Sequence, residues 1–129
     1  MTDTHPLVWF AAARLRKLSK RARAAFEAYE SGRLDLYVPM PVVLETWLLA
    51  QGGVIRVETS LERWWRRLRN PRLHFQDISA EDVFAASALG WHHRDLYDRL
   101  IVATALALGL PLLTADSAIS DWGGVEVVW

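Results

Sequence analysis

The chain has 129 residues, 52% of them hydrophobic, with no cysteine and a formal net charge of zero. That length suits one domain with a real core, and the absence of cysteine excludes disulfides, thiolate metal sites and a thiol nucleophile, leaving oxygen and imidazole as ligands. No apolar run reaches the ~18 residues of a membrane span and no signal-peptide pattern opens the chain, so a soluble, cytoplasmic protein with no membrane attachment is expected.

Pro6 can open a first helix after "MTDTH". Ser19 can cap a second, whose apolar residues Ala22, Ala25, Phe26 and Tyr29 share one face before Gly32 ends it. "LDLYV" (34–38) reads as a strand, and Pro41 suits the first turn of a helix that carries Glu45 and stops at Gly52. A further helix places Leu61, Trp64, Trp65 and Leu68 on one stripe and is ended by Pro71. "LHFQDI" (73–78) reads as a strand, Ser79 and Asp82 as a capping box, and Gly90 as the close of the helix that follows. Asp95 or a near neighbour begins the next helix. The uncharged "LIVATALALGLPLLTA" (100–115) then describes a buried helix, a turn at Gly109 to Pro111 and a buried strand, and "VEVVW" supplies a last edge strand. This alternation, with no repeat or linker, predicts an α/β fold in one domain over 1–129: a central, mostly parallel sheet with helices on both faces.

Neutrality hides segregation. Eleven of the fifteen Lys and Arg residues lie in "RLRKLSKRAR" (14–23) and "RWWRRLRNPR" (63–72), and neither stretch contains an acid. Lys20, Arg21 and Arg23 stand in the first turn of the second helix, where the macrodipole disfavours cations, so something external is expected to use that charge. Together with Arg63, Arg66 and Arg67 they are expected to form a cationic rim that would hold a phosphate backbone or an acidic partner; a solvated, salt-bridged face is the plainer alternative. The tryptophans, Trp9, Trp64 and Trp65 among them, are read as core or interface residues rather than base-stacking platforms.

The carboxylates carry the chemistry. Glu45 is the one ionisable group in "MPVVLETWLLA" (40–50), and an ionised carboxylate in such a setting must be paired, protonated or bound to a cation. Asp116 follows a buried strand and Asp3 lies where a first strand would pass into its helix, at the sheet edge where open α/β sheets bind ligands. Asp98 falls in the first turn of the helix opened near Asp95. Acids gathered in one pocket raise one another's pKa unless a polyvalent cation compensates, and hard oxygen ligands point to Mg²⁺ or Mn²⁺. Taken singly, each has a plainer reading: Glu45 paired with Arg99, Asp116 and Asp3 as helix caps, Asp95 and Asp98 as first-turn acids.

The segments "TDTHPLVWF", "VVLETWLLA", "HRDLYDRLIVATALALGLPLLTAD" and "VEVVW", in this order, resemble the PIN-domain ribonucleases, in particular the toxin subunits of VapBC-type toxin-antitoxin pairs. The resemblance implies a PIN fold and endonucleolytic hydrolysis of RNA at an acidic site holding one or two Mg²⁺ or Mn²⁺ ions. It also implies a cognate VapB-like antitoxin and a homodimer. Carried over by position, the catalytic and metal-site acids are Asp3, Glu45, Asp98 and Asp116, with Thr114 as a supporting hydroxyl. Arg99 either pairs with a site carboxylate or approaches phosphate. The chain departs from the family at four places, one being "VPMP" (38–41) where the approach to Glu45 is usually Ser-rich. Only Met1 and Thr2 precede Asp3, so the first strand is stunted or the true start lies upstream. Leu96 stands where a proline is common, and no second acid adjoins Asp116, which leaves Asp121 as the nearest supplementary ligand. Asp95 could share the role given to Asp98, and His92 and His93 are expected to cap or to touch substrate at the pocket mouth.

Two other classes compete. A catalytically silent PIN-like module would bind RNA or protein without cutting. A receiver domain or phosphatase would need a lysine opposite its acids, and the chain has only Lys17 and Lys20.

Overall fold

A computed structural model describes residues 1–56 and 60–129. Among them are seven α-helices, one 3₁₀ turn and four short strands. In chain order these are α1 (Thr4–Ala11), the 3₁₀ turn (Leu15–Lys17), α2 (Lys20–Glu30), β1 (Leu36–Pro39), α3 (Met40–Gln51) and α4 (Leu61–Leu68). Then follow β2 (Leu73–Gln76), α5 (Ala80–Ala88), α6 (Leu96–Leu108), β3 (Leu112–Leu113), α7 (Ser117–Trp122) and β4 (Val127–Val128).

The helix starts follow local hydrogen-bond chemistry. Ser19 Oγ accepts from Ala22 N at 3.1 Å, and Ser79 and Asp82 form a reciprocal capping box. Asp95 caps α6, which ends on Gly109 at φ 61°, the left-handed conformation that glycine adopts without strain. α1 begins two residues before Pro6, because Asp3 caps it through Thr4 N.

Strand pairing is parallel throughout. β1 runs beside β2 with Leu36 opposite Leu73 and Pro39 opposite Gln76, and β3 runs beside β4 with Leu112 opposite Val127. The first residues join the two pairs. Thr2 donates its amide to Tyr37 O at 3.0 Å and forms a parallel bridge with Leu113, while Asp3 N donates to Leu113 O at 2.9 Å. A first strand of the expected kind is therefore reduced to a single bridge, yet it suffices to bring Asp3 between the carboxyl ends of β1 and β3.

α6 is the central helix. Six successive residues, Leu100 to Ala105, are buried, so this stretch is enclosed on every side rather than along one stripe. It packs against α5 and α3, and α3 packs against α1. Full burial of Ile101, Val102, Val38, Val42 and Leu112 anchors this arrangement, each side chain contributing about 1.5–3 kcal/mol. Tyr29 of α2 donates its hydroxyl to Leu68 O and joins α2 to the end of α4. Trp65 is buried and Trp64 packs against the same core, as their position on the apolar stripe implies. No helix among the described residues is long and apolar enough to cross a membrane.

Candidate active site

Asp3, Glu45, Asp98 and Asp116 come from four distant segments and line one cleft of about 310 Å³. Asp95, Ala115, His5 and Trp9 complete its wall, and the described lining residues include no lysine or arginine. All but Glu45 are delivered by a helix start. Asp3 is the N-cap of α1, Glu45 sits within α3 directly after β1, Asp95 and Asp98 open α6, and Asp116 caps α7. The capping readings and the site reading are thus both realised by the same residues.

Asp3 is 5% exposed and held by both oxygens, Oδ1 accepting from Thr4 N at 2.6 Å and Oδ2 from the Thr114 hydroxyl at 2.7 Å. Thr114, itself fully buried, also accepts from Asp116 N at 3.0 Å, so a single hydroxyl orients two acids. Burial raises the Asp3 pKa, against the lowering effect of those hydrogen bonds. Burial likewise raises Glu45, and the charge of Asp3 adds to it. The Thr4 hydroxyl reaches toward Glu45 and eases this in part, although it is buried and completes no well-formed hydrogen bond.

Asp98 is pushed up to about 6, first by burial and then by the charges of Asp95, Asp3 and Asp116. His93 opposes the shift: its Nε2 lies 2.6 Å from Asp98 Oδ2. The imidazole is itself held by stacking on Trp91, with centroids 4.2 Å apart and planes within 7°, and Trp91 stacks in turn on Trp122. Gly124 accommodates this column, because a Cβ there would lie 2.3 Å from the Trp122 ring. Gly124→Ala should therefore displace Trp122 and cost about 1–3 kcal/mol, read as a lowered midpoint in urea unfolding; an unchanged midpoint would show the ring moving freely.

Several expectations are corrected. Arg99 neither pairs with a site carboxylate nor faces the cleft: its guanidinium donates to the carbonyls of Ala86, Ser87, Leu89, Trp91 and His93. Glu45 has no ion-pair partner among the described residues. Lys20, Arg21, Arg23, Arg63, Arg66 and Arg67 are all absent from the cleft wall. Arg66 pairs with Glu62 at 2.6 Å, Arg23 Nε donates to Leu18 O, and Arg67 lines a separate cleft with Trp64. Asp121 is exposed and lies outside the acidic cleft. Neither Lys17 nor Lys20 lines the cleft, which removes the lysine a receiver domain requires. His5 stands near Asp3, as its position in the sequence implies, but Trp9 and the His93–Asp98 contact were not anticipated; the spacing of His5 and Trp9, four apart in a helix capped by Asp3, was the available signal.

A family model described as PIN domain matches residues 1–124. The chain belongs to the PIN-domain family. No curated protein and no solved structure matches it. PIN domains are a nuclease-type family with an α/β fold, generally using divalent metals, and the parallel strands and helices described above agree with that fold.

The donor set suits a hard cation. Every acid offers oxygen, burial and mutual repulsion favour a compensating positive charge, and among the described residues no hydrogen bond reaches Asp98 Oδ1 or Asp116 Oδ2. Among those same residues no three acids or histidines stand close enough to enclose one ion as placed.

Proposed function

We propose that this PIN domain, acting as one unit over 1–129, is a metal-dependent endoribonuclease, hydrolysing RNA phosphodiester bonds. The convergence of Asp3, Glu45, Asp98 and Asp116 on one cleft carries this reading, since acids alone serve phosphodiester hydrolysis when a cation is recruited. Mg²⁺ or Mn²⁺ held by these four would make water nucleophilic and neutralise charge on the scissile phosphate and leaving oxygen. The protein's own part is positioning. Thr114 fixes Asp3 and the start of α7, and His93 fixes Asp98.

The biological role we propose is that of the toxin in a VapBC-type pair, held inactive by a cognate VapB-like antitoxin in the cytoplasm. The exposed apolar side chains Trp47, Phe84 and Leu96, at 48%, 67% and 62% exposure, support a homodimer that covers part of them. Lys20, Arg21, Arg23, Arg63, Arg66 and Arg67, lying off the cleft, would contact an antitoxin tail or the more distant backbone of a bound RNA.

The test is incubation of antitoxin-free protein with a pool of structured RNAs in Mg²⁺, Mn²⁺ or EDTA. Discrete cuts in either metal that vanish in EDTA are expected. Folded, metal-binding protein that leaves every RNA intact would overturn the enzyme and favour a silent binding module.

A further inference from the structure

Trp9 differs from the other tryptophans in where it stands and in what its ring faces. It lines the acidic cleft itself, one helical turn after His5, which lines it too. Most of the other indoles are already engaged or lie elsewhere. Trp91 is stacked between His93 and Trp122, and Trp64 meets Trp65 edge-on. Trp47 is exposed on α3 but takes no part in the cleft wall.

The ring neighbours of Trp9 leave its flat face unused by any parallel ring. His5 is tilted by 52° at 5.7 Å and Trp129 by 55° at 6.2 Å. The third neighbour is a cation: the Lys17 ammonium stands 5.2 Å from the ring centroid, on an exposed side chain in a segment that also carries Arg14 and Arg16. Trp9 therefore joins the acids of the cleft to a cation just outside it, one able to swing to phosphate on its flexible stem.

We infer that Trp9 is the stacking platform for an unpaired nucleobase next to the phosphate held at the acids, with Lys17 moving from the indole to the backbone of the same RNA. This deepens the nuclease reading and rests on it. Every base has a π face, so such a platform selects for single-stranded RNA over duplex rather than for one base. The cleft, about 310 Å³, is at the small end of single-ligand pockets, room for about one nucleotide's phosphate and base.

Binding of a short fluorescein-labelled single-stranded RNA, followed by anisotropy in Mg²⁺ on an Asp98→Asn background that blocks cleavage, tests this. Trp9 also packs against the core, so two replacements are needed: Trp9→Leu keeps apolar cover without a π face, and Trp9→Phe keeps the π face. Trp9→Leu is expected to weaken binding by roughly tenfold or more, and Trp9→Phe by much less. One abasic position in the RNA should reproduce the loss and should cost nothing further in Trp9→Leu. Equal affinity of Trp9→Leu and the parent, or an abasic penalty that persists undiminished in Trp9→Leu, would overturn the platform while leaving the nuclease standing. Failure of both this parent and the unsubstituted protein to bind any RNA in Mg²⁺ would overturn both.

Discussion

Asp98→Asn will remove RNA cleavage and, in the same protein, raise the melting temperature in EDTA at neutral pH. The two effects have one cause. Asp98 is pushed up to about 6 by burial and by Asp95, Asp3 and Asp116, with His93 holding it back, whereas an unfolded Asp titrates near ~3.9. Between about pH 4 and about pH 6 the folded protein therefore binds more protons than the unfolded chain, and stability falls as pH rises through that window before levelling off. Burial raises Asp3 and Glu45 as well, which adds to the same slope. Asn carries no charge to bury, so the variant escapes Asp98's share of the loss at neutral pH and shows a shallower profile across the window. Cleavage should drop by at least ~100-fold, a scale that even the outer partners of metal sites reach. Melting curves in EDTA from acid to neutral pH, beside metal-dependent cleavage assays, check both halves. A variant less stable than the parent at neutral pH would show that Asp98 supports the fold instead of straining it.

What the sequence made legible follows from how local each feature is. Capping at Ser19, at Asp95 and at the Ser79–Asp82 pair needs only residues a turn apart, and those helix starts appear where expected. The acids were legible for a different reason: a lone carboxylate in an apolar run such as that around Glu45 is costly enough to imply a purpose. His93 gave no comparable signal. Its contact with Asp98 depends on the path of an irregular segment, residues 89 to 95, which no periodicity describes. Arg99 was misread because a cation beside an acid suggests an ion pair, while its actual partners are carbonyls left over where α5 stops. Such leftover carbonyls have no sequence signature. The basic stretches were correctly seen as segregated, but how near each cation comes to the acids depends on long-range packing, which no local pattern carries: Lys17 reaches cleft residue Trp9, while Lys20, Arg21, Arg23, Arg63, Arg66 and Arg67 line no part of the cleft.

Arg99→Met will destabilise the protein by about 3 kcal/mol, the opposite sign from Asp98→Asn. α5 ends at Ala88 with Leu89 extended, so the carbonyls of Ala86, Ser87 and Leu89 lack the partners that continuation of the helix would supply. Arg99 Nη2 donates to all three, and Nη1 donates to Trp91 O and His93 O across the segment that follows. One planar cation thus closes a helix C-terminus, where positive charge is favoured, and ties down the backbone that presents His93 to Asp98. Bonds to a charged donor contribute about 1.5–3 kcal/mol each to stability, but five sharing two nitrogens cannot all be of full strength, which sets the estimate near the value for two. Arg99→Lys will recover only part of it, because a point charge cannot span both sets of carbonyls. Urea unfolding gives the energy, and hydrogen exchange over residues 86–93 locates it. Global unfolding within about 1 kcal/mol of the parent in Arg99→Met would exclude the clamp. If the clamp positions the site, folded Arg99→Lys will also cut RNA more slowly than the parent, with the deficit in turnover rather than in RNA affinity, because Arg99 itself lies outside the cleft.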